Sequence, residues 1–312
     1  MSVLVKQPGL LSLLHDRGRY GQAALGLTTG GPADPLAASL ANRLLGNSEA
    51  ATTLEVSFGG LRVDVLRDVQ VAITGADLSV RVDGESREMW RGLALSAGST
   101  LELGFSEIGC RTYVAVSGGV DVPRAFGSTS TVVREGIGGL GGRKLEAGDK
   151  LPVIGGTAAE LRWIPPSQRP RYHRRAILRV IPGYQTKEFS SLDRTRFFSS
   201  RYQVPDRCDR MGYRLDGPAI ACERGGMLSE GIALGSVQVP ADGQPIVLLH
   251  ARQTIGGYPK LGVVLASDCA ALAQLRPGDS VHFTPMTPQE AHNAVNLAHV
   301  FEKSRRFEAA PQ

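Results

Sequence analysis

The stretch 236–260, SVQVPADGQPIVLLHARQTIGGYPK, decides the class of fold. Val237 and Val239 alternate with Gln238, Asp242-Gly243 signals a tight turn, and Ile246 to Leu249 read as a buried return strand, so the segment predicts a β-hairpin. Beyond it Gly256-Gly257 allows close backbone approach, and Pro259 biases Tyr258 toward an extended conformation and presents Lys260 just after it. Each polar residue alone has an ordinary reading: Gln238 faces solvent, Tyr258 is a half-buried aromatic, Lys260 is a surface amine. A packed hairpin does not require Gln238, Arg252, Gln253, Thr254, Tyr258 and Lys260 to crowd around a double glycine, so the cluster predicts a pocket.

Outward from this hairpin the pattern stays β. The runs LRVDVL, VQVAIT, TLELGF, RTYVAV, AILRVI, IVLLH and VVLAS are rich in Val, Ile and Leu and are separated by Gly, Pro and Asp. Two helices interrupt them. Asp34 caps the first, Pro35 occupies its first position, Leu36, Leu40 and Leu44 share a face, and Gly46-Asn47 ends it. Thr287-Pro288-Gln289-Glu290 opens the second as a capping box, and it runs to about Phe301. A shorter helix is expected over 268–275.

LSAGSTLEL at 95–103, LEAGDKLPV at 145–153 and LRPGDSVHF at 275–283 form a weak repeat of turn then strand. At 312 residues the chain is long enough for two domains. The repeat and the Pro- and Arg-rich segment between its second and third copies suggest an N-terminal β domain at 1–163, a linker at 164–175 whose arginines are solvated, a C-terminal β domain at 176–286, and a C-terminal helix and tail at 287–312.

A net charge of +5, spread along the chain and lacking interleaved aromatics, argues against nucleic acid. Cysteines at 110, 208, 222 and 269 have no zinc spacing and are expected as free thiols in a reducing, cytoplasmic setting. The N-terminal segment meets Pro8 and Gly9 before any sustained apolar run, which argues against a signal peptide or membrane span.

GIGGLGGRK at 136–144 contains G-x-G-x-x-G, but a turn and strand follow where a dinucleotide-binding unit needs a helix, and Gly142 stands where a P-loop needs lysine. It reads as a mobile loop or as an anion site built from backbone N–H groups with Arg143 and Lys144. No Ser-His-Asp, Cys-His or metal-ligand arrangement stands out, and no metal is expected.

The remaining candidates are Lys260 and Arg210, cations suited to a carboxylate or phosphate, and Glu230, beside Gly231, as general base. Asp34, Asn42, Glu55, Tyr213, Gln238 and Tyr258 are candidate substrate-binding residues. Asp34 also has the helix-cap reading, Asn42 that of helix-to-strand glue, and Glu55 that of a solvent-facing strand residue.

GSVQVPADGQPIVL followed by QTIGGYPKLGVV resembles the KipA-type proteins, which are the C-type subunits of 5-oxoprolinase and are also called allophanate hydrolase subunit 2-like proteins. The resemblance extends through GPADPLAASLANRLLGN at 31–47, TLEVSFGG at 53–60, ITGADL at 73–78, RTYVAVSGGVDVP at 111–123, GSTSTVV at 127–133, DRMGYRLDGP at 209–218 and SEGIALGSVQVP at 229–240. It implies two related cyclophilin-like β-barrel domains with a cleft between them. It also implies KipI-type and LamB/YcsF-type partner subunits, and opening of 5-oxoproline to glutamate at the expense of ATP through an activated lactam. The ATP site is not indicated. A second implication is carboxyl transfer from carboxybiotin to urea or a related amide; this chain has no biotinyl-lysine motif, so biotin is not covalently attached and another protein would bring it. A third is a non-catalytic regulator that binds a KipI-type kinase inhibitor.

Overall fold

In the computed structural model, which describes residues 2–155, 160–222 and 227–310, the chain is mainly β with a few short helices and a longer C-terminal one. The last two residues of the expected tail lie outside the described residues. The chain divides into one unit of residues 1–20, 30–172 and 306–312 and a second of residues 21–29 and 173–305.

In the first unit a five-stranded sheet runs in the order Leu11–His15, Thr53–Ser57, Ile108–Val116, Val69–Asp77, Gly92–Leu95. A six-stranded sheet runs Lys150–Leu151, Val3–Pro8, Leu61–Val65, Thr100–Leu103, Val80–Val82, Glu85–Arg87. The period-2 pattern of the sequence explains the packing: Leu61, Val63 and Val65 are buried while Arg62 is exposed. The sheets enclose a cavity of about 20 Å³ lined only by Val and Leu, including Val3, Leu54, Val71 and Val114, which is an apolar packing defect without the polar partners a water needs. Helix α1, Pro35–Leu44, buries Ala37, Leu40, Ala41 and Leu44.

In the second unit a seven-stranded sheet runs Arg201–Gln203, Ser280–Pro285, Arg175–Pro182, Lys260–Val264, Ser236–Gln238, Ile246–Leu248, Gly212–Arg214. Arg175–Pro182 and Ser280–Pro285 pair in parallel, and the other neighbours are antiparallel. The expected hairpin is present: Val237 pairs with Val247 and Gln238 with Ile246. Its turn is closed by the Gly243 N–H on the Pro240 carbonyl at 2.9 Å, with Gly243 at φ 75°. A separate two-stranded ribbon joins Glu230–Gly231 to Ile255–Gly256.

Helix α2, Ser191–Ser199, was not anticipated from the sequence, although Ser190 caps it by accepting from the Asp193 N–H. Its Phe197 stacks on Phe283 with centroids 4.3 Å apart, so tertiary packing rather than periodicity holds it. Helix α3 spans Ala266–Ala273 and so begins earlier than expected. Asp268, taken from the sequence as its start, instead accepts the Arg179 backbone N–H at 2.9 Å and its guanidinium at 2.6 and 2.8 Å. Helix α4, Pro288–Ser304, opens with the predicted capping box, Thr287 and Glu290 each satisfying the other's backbone N–H. Among the described residues no helix is long and apolar enough to cross a membrane.

The repeat at 95–103, 145–153 and 275–283 has a shared physical basis. Gly98, Gly148 and Gly278 lie at φ 92°, 93° and 87°, a conformation that suits glycine. In each the turn closes three residues on, Ser99 to Ser96 at 3.1 Å, Asp149 to Glu146 at 3.2 Å and Asp279 to Arg276 at 3.0 Å. The segment 164–175 begins with Ile164 fully buried in the core of the first unit, and its Arg169 is held by the Ile164 carbonyl at 2.7 Å and Glu88 at 2.7 Å.

Candidate functional site

Three of the candidates meet in the second unit. Gln238 is paired with Lys260 across the main sheet, and Glu230 is paired with Gly256 across the short ribbon. Strand pairing therefore places residues distant in sequence around the double glycine. The Lys260 ammonium donates to Glu230 Oε1, with the lysine side chain 13% and the glutamate side chain 34% exposed.

Two residues that sequence reasoning missed complete the arrangement. The Tyr184 hydroxyl donates to Glu230 Oε2, and the buried Gln185 donates from Nε2 to Glu230 Oε1 at 2.8 Å and to the Tyr184 oxygen at 2.8 Å. Gln185 Oε1 accepts the backbone N–H of Lys260 at 2.7 Å, so one side chain sets both the lysine backbone and its counter-ion. Pro182-Gly183 ahead of Tyr184-Gln185 is a turn signal at a strand end, the one local hint of a loop that presents these groups.

The electrostatics follow from these contacts. Hydrogen bonds from Lys260, then Tyr184, hold the Glu230 carboxyl below its ordinary range. The Tyr184 phenol is raised, chiefly by its bond to Glu230. Glu230 therefore stays ionised and Tyr184 protonated at neutral pH, which makes Glu230 a poor proton acceptor and a good anchor for the ammonium. The carboxylate is held against the Lys260 ammonium, the Tyr184 hydroxyl and the Gln185 amide, an arrangement that fixes its orientation toward Lys260.

Tyr258, two residues from Gly256, is half exposed. Gly257 is required by close approach, since a β-carbon there would lie 2.8 Å from the Met227 carbonyl oxygen. Arg252 is directed to backbone, with Nε on the Ile232 carbonyl at 3.2 Å.

The other candidates are placed elsewhere. Tyr213 is fully buried, and its hydroxyl donates to the Ala273 and Leu275 carbonyls at 3.3 Å each, capping the end of α3. Arg210 is buried next to the 251–256 segment rather than elsewhere, its carbonyl accepting the Ala251 N–H at 2.8 Å. Asp34, Asn42 and Glu55 all lie buried in the first unit, and each has a fold role there. Asp34 caps α1 through the Ala37 N–H at 3.1 Å and accepts from the Tyr172 hydroxyl at 2.8 Å. Asn42 bonds the Ala51 carbonyl at 2.9 Å and accepts from Asn47 at 3.0 Å. Glu55 does not face water: its Oε2 accepts the Ala33 N–H and the Tyr113 hydroxyl, both at 2.8 Å, with Arg111 3.9 Å from Oε1.

The glycine run at 136–144 is not an anion site. Arg143 forks onto Asp149 at 2.7 and 2.8 Å, and the Gly139 and Gly142 N–H groups are taken by Thr129 and Gly138 carbonyls at 2.7 Å each. Among the described residues no three His, Cys, Asp or Glu side chains converge as for a metal ion. All four cysteines are free thiols.

The sequence is 38% identical to the C-type subunit of 5-oxoprolinase from Escherichia coli over 290 residues, covering 92% of each chain. It is 34% identical to the corresponding 5-oxoprolinase subunit of Haemophilus influenzae over 89% of each. The structure superposes on Kluyveromyces lactis urea carboxylase with a TM-score of 0.90 at 25% identity, over 97% of this chain and 29% of that one. Residues 25–285 match the profile of the family described as carboxyltransferase domain, subdomain A and B. With that match over most of its length and these relatives, the chain belongs to the carboxyltransferase domain A and B family.

Proposed function

We propose that this chain is the C-type subunit of a 5-oxoprolinase, a hydrolase complex that opens the lactam ring of 5-oxo-L-proline to L-glutamate. The observation that carries the reading is the similarity to C-type 5-oxoprolinase subunits along nearly the whole of both chains. The Lys260–Glu230–Tyr184–Gln185 network supports a substrate role. An ammonium has three N–H donors, and with one on Glu230 the others are available to the carboxylate of the substrate or to an oxygen that becomes negative as the ring carbonyl is attacked. Tyr184, kept protonated, is a neutral donor beside it.

The complex is ATP-dependent in this reading, with KipI-type and LamB/YcsF-type subunits as partners in the cytoplasm, where free thiols are stable. The glycine run and Arg143 are already engaged within the first unit and offer no fit for a triphosphate, so we assign the nucleotide to another subunit. The chain is active only in the assembled complex, because no complete catalytic constellation stands among its described residues.

The family and the urea carboxylase superposition favour one other reading, transfer of a carboxyl group to urea or a related amide, with biotin carried on another protein. Purifying the chain alone and with each partner separates the two. Glutamate formation and 5-oxoproline-dependent ADP release only in the assembled complex are expected. Urea-dependent bicarbonate incorporation without glutamate formation would replace the first reading by the second.

A further inference from the structure

Two side-chain amides converge on one bare α-carbon. Because Glu230 pairs with Gly256 and Gln238 pairs with Lys260, the two ladders bring the Gln238 carboxamide against Gly256. A β-carbon at Gly256 would lie 2.9 Å from Gln238 Nε2, 3.6 Å from Gln253 Nε2 and 2.4 Å from Ile232 Cδ1. Gln238 is 1% exposed, and its Nε2 has no hydrogen-bond acceptor among the described residues. A buried donor left unmade destabilises a fold, whereas an apolar side chain of similar volume at the same place does not. Folding alone gives no reason for an amide here.

We propose that Gln238 donates this N–H to the carbonyl oxygen of a small planar amide, a lactam or ureido group, which lies against the α-carbon of Gly256 with Gln253 as the second donor. The inference rests on the reading of the Glu230–Lys260 network as a substrate site and names what that site recognises. A carboxamide is uncharged, so the Gln238 contact is to a neutral carbonyl, while the Lys260 ammonium alongside it keeps its remaining donors for the substrate's carboxylate or a developing oxyanion. A buried donor of this kind discriminates strongly, because a ligand lacking the acceptor leaves it unpaired. Gly256 then keeps the amide in place: its backbone lies outside the left-handed region, so alanine is permitted by conformation, but its β-carbon would meet Ile232 Cδ1 at 2.4 Å and Gln238 Nε2 at 2.9 Å and so displace the donor.

The test is side-chain amide NMR on the full chain, alone and in the assembled complex, with 5-oxoproline, urea and proline as probes. The Gln238 resonance is assigned by its loss in Gln238→Leu. Expected is a shift with 5-oxoproline but not with proline, whose ring has no carbonyl, and an affinity for 5-oxoproline at least tenfold weaker in Gln238→Leu and in Gly256→Ala, with the melting temperature of Gln238→Leu not lowered. A shift with urea alone supports the carbonyl site while removing the oxoprolinase reading. No shift with either amide, or 5-oxoproline affinity unchanged in both variants, overturns the inference; so does a Gln238→Leu protein that loses its fold while Gly256→Ala binds normally.

Discussion

Glu230 and Lys260, thirty residues apart in the chain, form an ion pair that is set at both ends by Gln185, whose amide nitrogen holds the carboxylate and whose amide oxygen holds the lysine backbone. The pair is partly open to solvent, so its contribution to stability is small and its geometry is what the surrounding groups maintain.

Lys260→Met keeps most of the stem and deletes the charge. Turnover of the reconstituted complex is expected to fall about a hundredfold, the scale of losing one donor to a developing oxyanion, with melting little changed. Glu230→Gln is expected to fall by a similar factor. The double variant should lose no more than the worse single one, because the two act as a unit. Independent, multiplying losses would show that Glu230 has work apart from the lysine.

Tyr184→Phe tests the same network by pH. The Glu230 carboxyl is below its unfolded value, so what the network contributes is present above about pH 4.3 and is lost as pH falls through the lower folded value. Removing the Tyr184 donor moves that folded value up. The acid limb of kcat/KM should therefore shift to higher pH in Tyr184→Phe, and an unmoved limb would leave this tyrosine outside the site.

Glu55→Ala is expected to act on stability. The Ala33 N–H and Tyr113 hydroxyl lose their acceptor, and Arg111 loses its neighbouring charge inside the core. A loss of about 3 kcal/mol in urea unfolding is the expected size for breaking such a buried arrangement. A loss below about 1 kcal/mol would mean that water replaces the carboxylate there.

Gly278→Ala and Gly243→Ala separate conformational strain from collision. Both glycines lie at positive φ, but a β-carbon at Gly278 meets nothing within 4 Å whereas at Gly243 it lies 2.7 Å from the Ile220 carbonyl oxygen. Gly278→Ala should cost about 1 kcal/mol, the strain of the left-handed conformation. Gly243→Ala should cost clearly more in the same denaturation measurement.

Much of the architecture was legible because its signals are local. Asp34-Pro35 and the Thr287–Glu290 box declare helix starts through hydrogen bonds three residues long, and Asp242-Gly243 declares a turn. The 236–260 stretch likewise showed its hairpin, and of the polar residues expected to crowd the double glycine the structure brings the Gln238 and Gln253 amides against Gly256. Helix α2 was not legible, since only Phe197 is buried on it and its stability comes from Phe283, far along the chain.

The sequence by itself therefore determined the mainly β class and the turn-and-strand repeat through its left-handed glycines. Only tertiary structure decided which polar residues serve the fold and which are presented together. Asp34, Asn42, Glu55 and Tyr213 have partners that no local pattern names, and Tyr184 and Gln185 reach Glu230 across a separation of about forty-five residues. The physical reason is that capping and turn formation are satisfied within a few residues, whereas a buried charge or amide is satisfied by whichever strand the sheet places beside it.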